Sequence, residues 1–465
     1  MPSDVTAWPS AQSWSFQYAA KGRTFSSSAR RADRGISRSS LGGTPTAAQQ
    51  SKTDQQMSSR KRWSSSTSSR IGVRSRNPIG SLVHVLAARK PHGKVVSMHS
   101  SLQHRRGFDR SGGSICSIAP PYLLLLLAER GDKAQREAAL RTLTVSASIR
   151  ARRATVSSVS GLQQTMSEEL GLVAGETLSV YDVNHGGDPD LPGTLARSGA
   201  DQDVADTSVN EAYNGADLTF AFYQEVFGRN SVDDMGLQLV SSVHYLNDFD
   251  NAFWNGNQMV YGDGSGNFFQ VGAMTRDLDV IAHELTHGVT QFTANLAYHV
   301  QSGALNESMS DVFGSLVKQR HLGQSASDAD WLIGEGILAP AINGKALRSM
   351  AEPGSAFDGD PQPSDMSAYV VLPDDDDPRN DHGGVHINSG IPNHAFYLVA
   401  TTLGGNAWES AGQIWYDTLT GGGLPSTADF ATAAQATIDA ATNRFGDGSA
   451  EQQAVRSAWQ EVQVL

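Results

Sequence analysis

His283-Glu284-Leu285-Thr286-His287 is the stretch on which the reading of this chain turns. On a helix, His283 and His287 stand four residues apart on one face, with Cβ atoms about 5–6 Å from each other. Two imidazoles so placed suit two bonds to one zinc ion. Glu284 is displaced round the helix and can reach the open side of such a metal, where it can take a proton from a bound water. A catalytic zinc also needs a third protein ligand and a free fourth position. The next helical stretch, Asn306-Glu307-Ser308-Met309-Ser310-Asp311, offers Glu307 and Asp311, again four apart on one face. One carboxylate can bind the metal while the other holds a ligand histidine by its second ring nitrogen. A solvated acidic face is the alternative, weakened by the apolar neighbours Ala304, Leu305, Val312 and Phe313.

Working outward, residues 276–320 read as two long helices. Residues 215–275 mix an amphipathic helix (216–227) with short alternating strands such as Leu237–Tyr245, punctuated by Asn255-Gly256 and Tyr261-Gly262-Asp263-Gly264. The globular part is expected to begin near Leu191. After a loop-rich stretch from Ala339 to Ser389, helices are expected near 391–403, 407–420, 427–443 and 449–462, separated by glycine pairs and triplets. An α+β half therefore precedes a mainly helical half.

These segments together resemble the thermolysin family of zinc metalloendopeptidases. Gly303-Ala304-Leu305 leading into Glu307 and Asp311 matches the family, as does Asn251-Ala252-Phe253-Trp254-Asn255-Gly256 with Met259-Val260-Tyr261-Gly262-Asp263-Gly264. So does Gly383-Gly384-Val385-His386-Ile387-Asn388-Ser389-Gly390. The likeness runs from about Leu191 to Leu465 in the family's order. It implies a two-lobed α+β fold, a β-rich N-terminal lobe and a mainly helical C-terminal lobe with the cleft between them. It implies His283, His287 and Glu307 as ligands of one Zn2+, Glu284 as general base, and Tyr298 and His386 as stabilisers of the oxyanion. Asp311 would orient His283 and Asp381 would orient His386. Asn251 and Ala252 would bond the substrate backbone, and Arg348 a substrate carbonyl. Val280, Ile333, Ile337 and Leu347 would line the pocket for a large apolar residue after the cleaved bond, although plain core packing is their other reading.

Two departures stand out. Many family members hold two calcium ions beside the zinc helices with clustered carboxylates. Here Asp279, Asp330 and Glu335 remain, but Lys318 replaces a bridging carboxylate and Leu332 stands at another matching position. The Lys318 ammonium is expected among those three carboxylates in place of the ion pair, with the double Ca2+ site lost. The second departure is the pro-region. Ala119-Pro120-Pro121-Tyr122-Leu123 opens a short helical segment that resembles the propeptide of protealysin-like members. It implies a zymogen whose segment covers the cleft until cut near 155–170. Cys116 could reach the zinc as a thiolate in the closed form, or be an idle thiol.

Charge divides the chain further. Residues 1–116 carry 19 Lys and Arg against 4 Asp and Glu, whereas 161–465 carry 10 against 41. The acidic part is a poor partner for nucleic acid. The expected organisation is a basic Ser/Arg-rich tail over 1–97, with Met98 a candidate alternative start, then a helical propeptide and linker over 98–165. Catalytic lobes follow over 166–320 and 321–465. The single cysteine excludes an intrachain disulfide. No apolar run reaches the ~20 residues of a membrane helix, and the first 30 residues lack the apolar stretch of a secretory signal. The family likeness implies a secreted monomer acting on proteins or peptides. The sequence leaves the export route, and retention in the cytoplasm, open.

Overall fold

The computed structural model describes residues 116–157, 177–199 and 201–465. The basic tail and most of the expected linker lie outside them. Helix α1 (Pro121–Arg130) begins with Pro121 at its first position, where the missing N–H would have had no partner in any case. Gly131 breaks the chain and α2 (Lys133–Ser157) follows. Leu123, Leu124 and Leu127 of α1 are buried in the same apolar cluster as the catalytic part.

Six strands form one mixed sheet in the order β1-β5-β6-β4-β2-β3. They are β1 (Cys116–Ser117), β2 (Leu178–Asp182), β3 (Thr194–Ser198), β4 (Leu239–Val243), β5 (Ala252–Trp254) and β6 (Met259–Tyr261). Strand β4 runs parallel to β2 and β6, while β5 is antiparallel to β6 and to β1. The globular part therefore starts at β2, earlier than Leu191. That strand is only five residues long and carries Ser179 and Asp182, so its apolar pattern is weak. Strand β4 is shorter than the stretch expected, and all five of its residues are buried. A strand covered on both faces does not alternate. Strand β4 meets helix α3 (Thr207–Phe227), and a separate apolar cluster gathers Tyr245, Phe249, Phe253 and Val260 with Val145 of α2. Helix α3 starts well before the expected 216 because its first turns are polar. The Asp206 carboxylate caps it, accepting from the Ser208 and Val209 amides, and Gly228 closes it at φ 73°.

The short α4 (Ala273–Arg276) precedes the central pair, α5 (Leu278–Gln291) and α6 (Val300–Leu322). The pairs His283–Asp311 and His287–Asn306 show these two helices to be antiparallel. They lie very close. A Cβ at Gly314 would stand 2.7 Å from the Asp279 carbonyl oxygen, so any larger residue would force the helices apart. The hairpin β7 (Leu332–Ile333) and β8 (Arg348–Ser349) brings Arg348 beneath the pair. Helices α7 (Asp381–Asn388), α8 (Gly390–Leu403), α9 (Ser410–Thr420), α10 (Phe430–Phe445) and α11 (Ala450–Glu461) complete the chain. Trp415 and Trp459 stack at 6.5 Å between ring centres, and the Trp459 indole donates to Thr437 Oγ1 at 2.8 Å. Among the described residues no helix is long and apolar enough to cross a membrane.

At the end of β4, His244 joins three loops. Its Nδ1 lies 2.7 Å from Asp263 Oδ1 and its Nε2 lies 2.9 Å from the capping carboxylate of Asp206. The Asp263 hydrogen bond, with help from Asp206 and against partial burial, raises His244 to about 9. A folded value above the unfolded ~6.5 means that its stabilisation is complete below that value and is lost as pH rises through about 9. Denaturant midpoints of the wild type and His244→Gln should therefore differ most near pH 6 and converge above about pH 10. A gap unchanged across that range would contradict the ion-pair account.

Candidate active site

The centre sits between α5 and α6. His283, Glu284 and Glu307 are fully buried and His287 nearly so. His283 Nε2 and His287 Nε2 are 3.1 Å apart, and Glu307 places its two oxygens 3.4 Å and 3.6 Å from them. Among the described residues, Glu307 Oε2 is a buried oxygen without a hydrogen-bond partner. Both outer ring nitrogens are committed elsewhere. His283 Nδ1 meets Asp311 Oδ1 at 2.8 Å, and His287 Nδ1 meets Asn306 Oδ1 at 2.9 Å. The ring faces turned inward are thus those that bind metals.

Electrostatics point the same way. Burial works to lower His283, but the Asp311 and Glu307 carboxylates outweigh it and raise it to about 9. Burial pushes His287 down to about 3. With Nε2 of His283 protonated, that ring donates to the neutral His287 ring. The constellation therefore holds one positive charge between its nitrogens, where a divalent ion would sit. Two imidazole nitrogens and one carboxylate oxygen, within 4.8 Å of one another, suit zinc with a position left open.

Asp311 accepts more than the His283 bond. Arg348 donates to both its oxygens at 2.8 Å, and Asn393 Nδ2 donates to Oδ2 at 2.8 Å. Arg348, expected to bond a substrate carbonyl, also clamps Asp311. Glu284 Oε2 accepts from the Trp254 amide at 2.9 Å, and burial pushes its carboxyl up to about 8.

His386 was expected in a loop and instead lies within α7. Asp381, His382, Gly383 and Gly384 all have φ between 48° and 85°. This left-handed run turns the chain back, so that Asp381 Oδ1 meets His386 Nδ1 at 2.7 Å and Oδ2 accepts the His386 amide at 2.8 Å. Gly383 is needed for space as well as conformation, since a Cβ there would lie 2.9 Å from Val300. Tyr298 donates to Glu307 and meets His386 Nε2 at 3.1 Å.

The chain's own N-terminal segment crosses this centre. Strand β1 pairs with β5, placing Cys116 opposite Trp254 and Ser117 opposite Phe253. The Ser117 carbonyl accepts from His386 Nε2 at 3.1 Å, and the Ile118 amide donates to the Ala252 carbonyl at 3.2 Å. The Ala119 amide donates to Asn251 Oδ1 at 3.0 Å, and Arg348 Nη1 reaches the Ile118 carbonyl at 3.5 Å. Ile118, Val280, Ile333, Ile337 and Leu347 are completely buried in one apolar cluster. The Cys116 thiol lies outside the described side chains.

Lys318 Nζ lies 3.2 Å from Asp279, 3.0 Å from Asp330 and 4.0 Å from Glu335. Asp277, not foreseen from the sequence, belongs to the same group: burial and then Asp279 raise its carboxyl well above the usual range. Asn306, Asn393 and Gln362, which donates to the His386 carbonyl at 2.8 Å, were also missed. Asn306 had a local signal, four residues before Ser310 on the carboxylate helix. The other two arrive by tertiary folding alone.

A centre of this kind defines a zinc-type metallohydrolase. Residues 156–291 match the family model described as thermolysin metallopeptidase, catalytic domain, and residues 294–464 match its alpha-helical domain. The chain belongs to the thermolysin family of metallopeptidases and is a zinc metalloendopeptidase of the protealysin-like kind. An extracellular metalloprotease of Pectobacterium carotovorum subsp. carotovorum is 47% identical over 356 residues, 75% of this chain and 96% of that protein. Protease PrtS of Photorhabdus sp. (strain Az29) is 42% identical over 74% of this chain and 91% of its own length. The solved precursor of protealysin from Serratia proteamaculans matches with a TM-score of 0.64 and 46% identity, covering 75% of this chain and all of that one.

Because His283 binds a proton that the metal must displace, and Glu284 beside it is raised to about 8, zinc uptake at pH 7 should release at least one proton per ion. Calorimetry in buffers of different ionisation enthalpy measures this. No proton release would contradict the charge assignment.

Proposed function

We propose that this chain is an exported endopeptidase that cuts proteins ahead of a large apolar residue and is held latent by its own residues 98–165. The carrying observation is that this segment makes backbone bonds to Asn251, Ala252 and His386 across the histidine–carboxylate centre. Those are the groups that a substrate strand would use. Its branched apolar side chain at that point, Ile118, is completely buried, as are the four residues expected to form the specificity pocket.

Zinc held by His283, His287 and Glu307 would supply a polarised water and a Lewis acid for the substrate carbonyl. Glu284, anchored by the Trp254 amide, is placed to take a proton from the attacking water and pass it to the leaving amine. His386 and Tyr298 donate to the oxygen on which negative charge develops. Asp381 keeps His386 in its donating orientation, and Asp311 does the same for His283. Asn251, Ala252 and Arg348 align the substrate backbone. The lobes comprise residues 166–320 and 321–465, the molecule acts as a monomer, and its site of action is outside the cell, as the names of several relatives suggest.

Lys318 takes over the work of a calcium pair, neutralising Asp279 and Asp330 without an ion. Lys318→Met should cost about 3 kcal/mol of stability by leaving a buried carboxylate unpaired. Millimolar calcium should leave the wild-type melting temperature unchanged. A clear calcium-induced rise would refute the replacement.

For the activity itself, the processed enzyme should digest an unfolded protein, stop with a chelator and recover with zinc. Glu284→Gln should lower kcat by about 10²–10⁴-fold while keeping the metal. Mapped cuts should precede Leu, Ile, Phe or Val. Cuts without such a preference would remove the pocket assignment, and full activity in Glu284→Gln would remove the mechanism.

A further inference from the structure

The bonds of the N-terminal segment define a direction and a register as well as a contact. Numbered from the centre outward, Ser117 presents its carbonyl to His386, the group proposed to stabilise the oxyanion. Ile118 follows, with its amide on the Ala252 carbonyl and its own carbonyl facing Arg348. Ala119 comes next, with its amide on Asn251 Oδ1. Cys116, on the other side, pairs with Trp254, the residue whose amide anchors the Glu284 carboxylate. One peptide bond, Ser117–Ile118, therefore lies where a bond to be cut would lie. The residue after it is a buried, branched apolar side chain.

We infer that the chain is its own substrate at Ser117–Ile118, cut within the same molecule. This rests on the endopeptidase reading above and goes beyond latency, because a segment that only covered the cleft would need neither this direction nor this register. In the step, the water oxygen bonds to the Ser117 carbonyl carbon and the Ser117–Ile118 C–N bond breaks. The proton taken by Glu284 passes to the Ile118 nitrogen. The water's second proton follows to the same nitrogen, so the products are a Ser117 carboxylate and an Ile118 ammonium, and no other reactant is needed.

Two features follow from where the bond lies. The cut separates residues 1–117, which include the strongly basic stretch, from the acidic remainder. It leaves α1 and α2 attached, with Leu123, Leu124 and Leu127 still buried and Asn251 Nδ2 still 3.3 Å from Ser146 Oγ. Loss of the helical pro-segment is then a separate, later event.

The test uses the full chain, purified with a chelator and started by adding zinc, followed by intact mass. A fragment beginning at Ile118 should appear at a rate that does not change over about a 100-fold range of chain concentration, as a unimolecular step requires. Glu284→Gln should give none, and Ile118→Leu should keep the cut. Ile118→Asp should slow it at least about tenfold, the scale on which an apolar pocket discriminates. A readout independent of turnover is amide hydrogen exchange in zinc-free Glu284→Gln, where the Ile118 and Ala119 amides should be protected and should lose protection in the additional Ile118→Asp variant. A processed enzyme that digests an added protein, from a chain that never shows an Ile118 terminus, overturns this inference and leaves the endopeptidase reading standing. A rate rising with concentration, or unprotected amides, also overturns it. Failure to digest any added protein would instead defeat the endopeptidase reading.

Discussion

Two ring nitrogens held 3.1 Å apart in a fully buried pocket, with a carboxylate 3.4–3.6 Å from both, cannot all keep bare lone pairs. Something positive must lie among them, a proton or a metal ion, and much of the surrounding structure keeps that demand in place. Asp311 and Asn306 occupy the outer nitrogens, so neither ring can turn its inner nitrogen away. Arg348 and Asn393 in turn saturate Asp311, drawing the β7–β8 hairpin and α8 into the support of one histidine. Gly314 lets the two helices approach closely enough for side chains of both to meet.

The second histidine centre has a different origin. His386 is aimed by a backbone turn more than by a helix face. Four successive residues in the left-handed region reverse the chain so that Asp381 grips both the ring and the amide of His386. The two glycines reduce the cost of that conformation. Asp381 and His382 bear it without that help, which is the kind of local strain that functional sites retain.

The zinc helices were legible because their chemistry depends on spacing within one element. Four-residue separations at 283/287 and 307/311 survive folding unchanged. The left-handed run before His386 was not legible, since glycines there read equally as loop. Strand β2 was missed because five residues with two polar ones carry little pattern. The start of α3 was missed because its capped first turns are polar. Asn393 and Gln362 lie far in sequence from the groups they serve, and only packing brings them there. Asp277 stands two residues before Asp279, but its burial beside that carboxylate is a product of folding. The Lys318 cluster was foreseen from a charge reversal at one position, a signal that periodicity does not carry.

The central claim is that His283, His287 and Glu307 together hold one zinc ion. Metal content by elemental analysis, with X-ray absorption at the zinc edge, tests it directly. The account predicts one zinc per chain bound by two imidazole nitrogens and a carboxylate, lost in His283→Ala and in Glu307→Ala proteins that remain folded. Zinc retained at full occupancy in those variants, or absent from a folded wild-type chain supplied with it, would contradict the account.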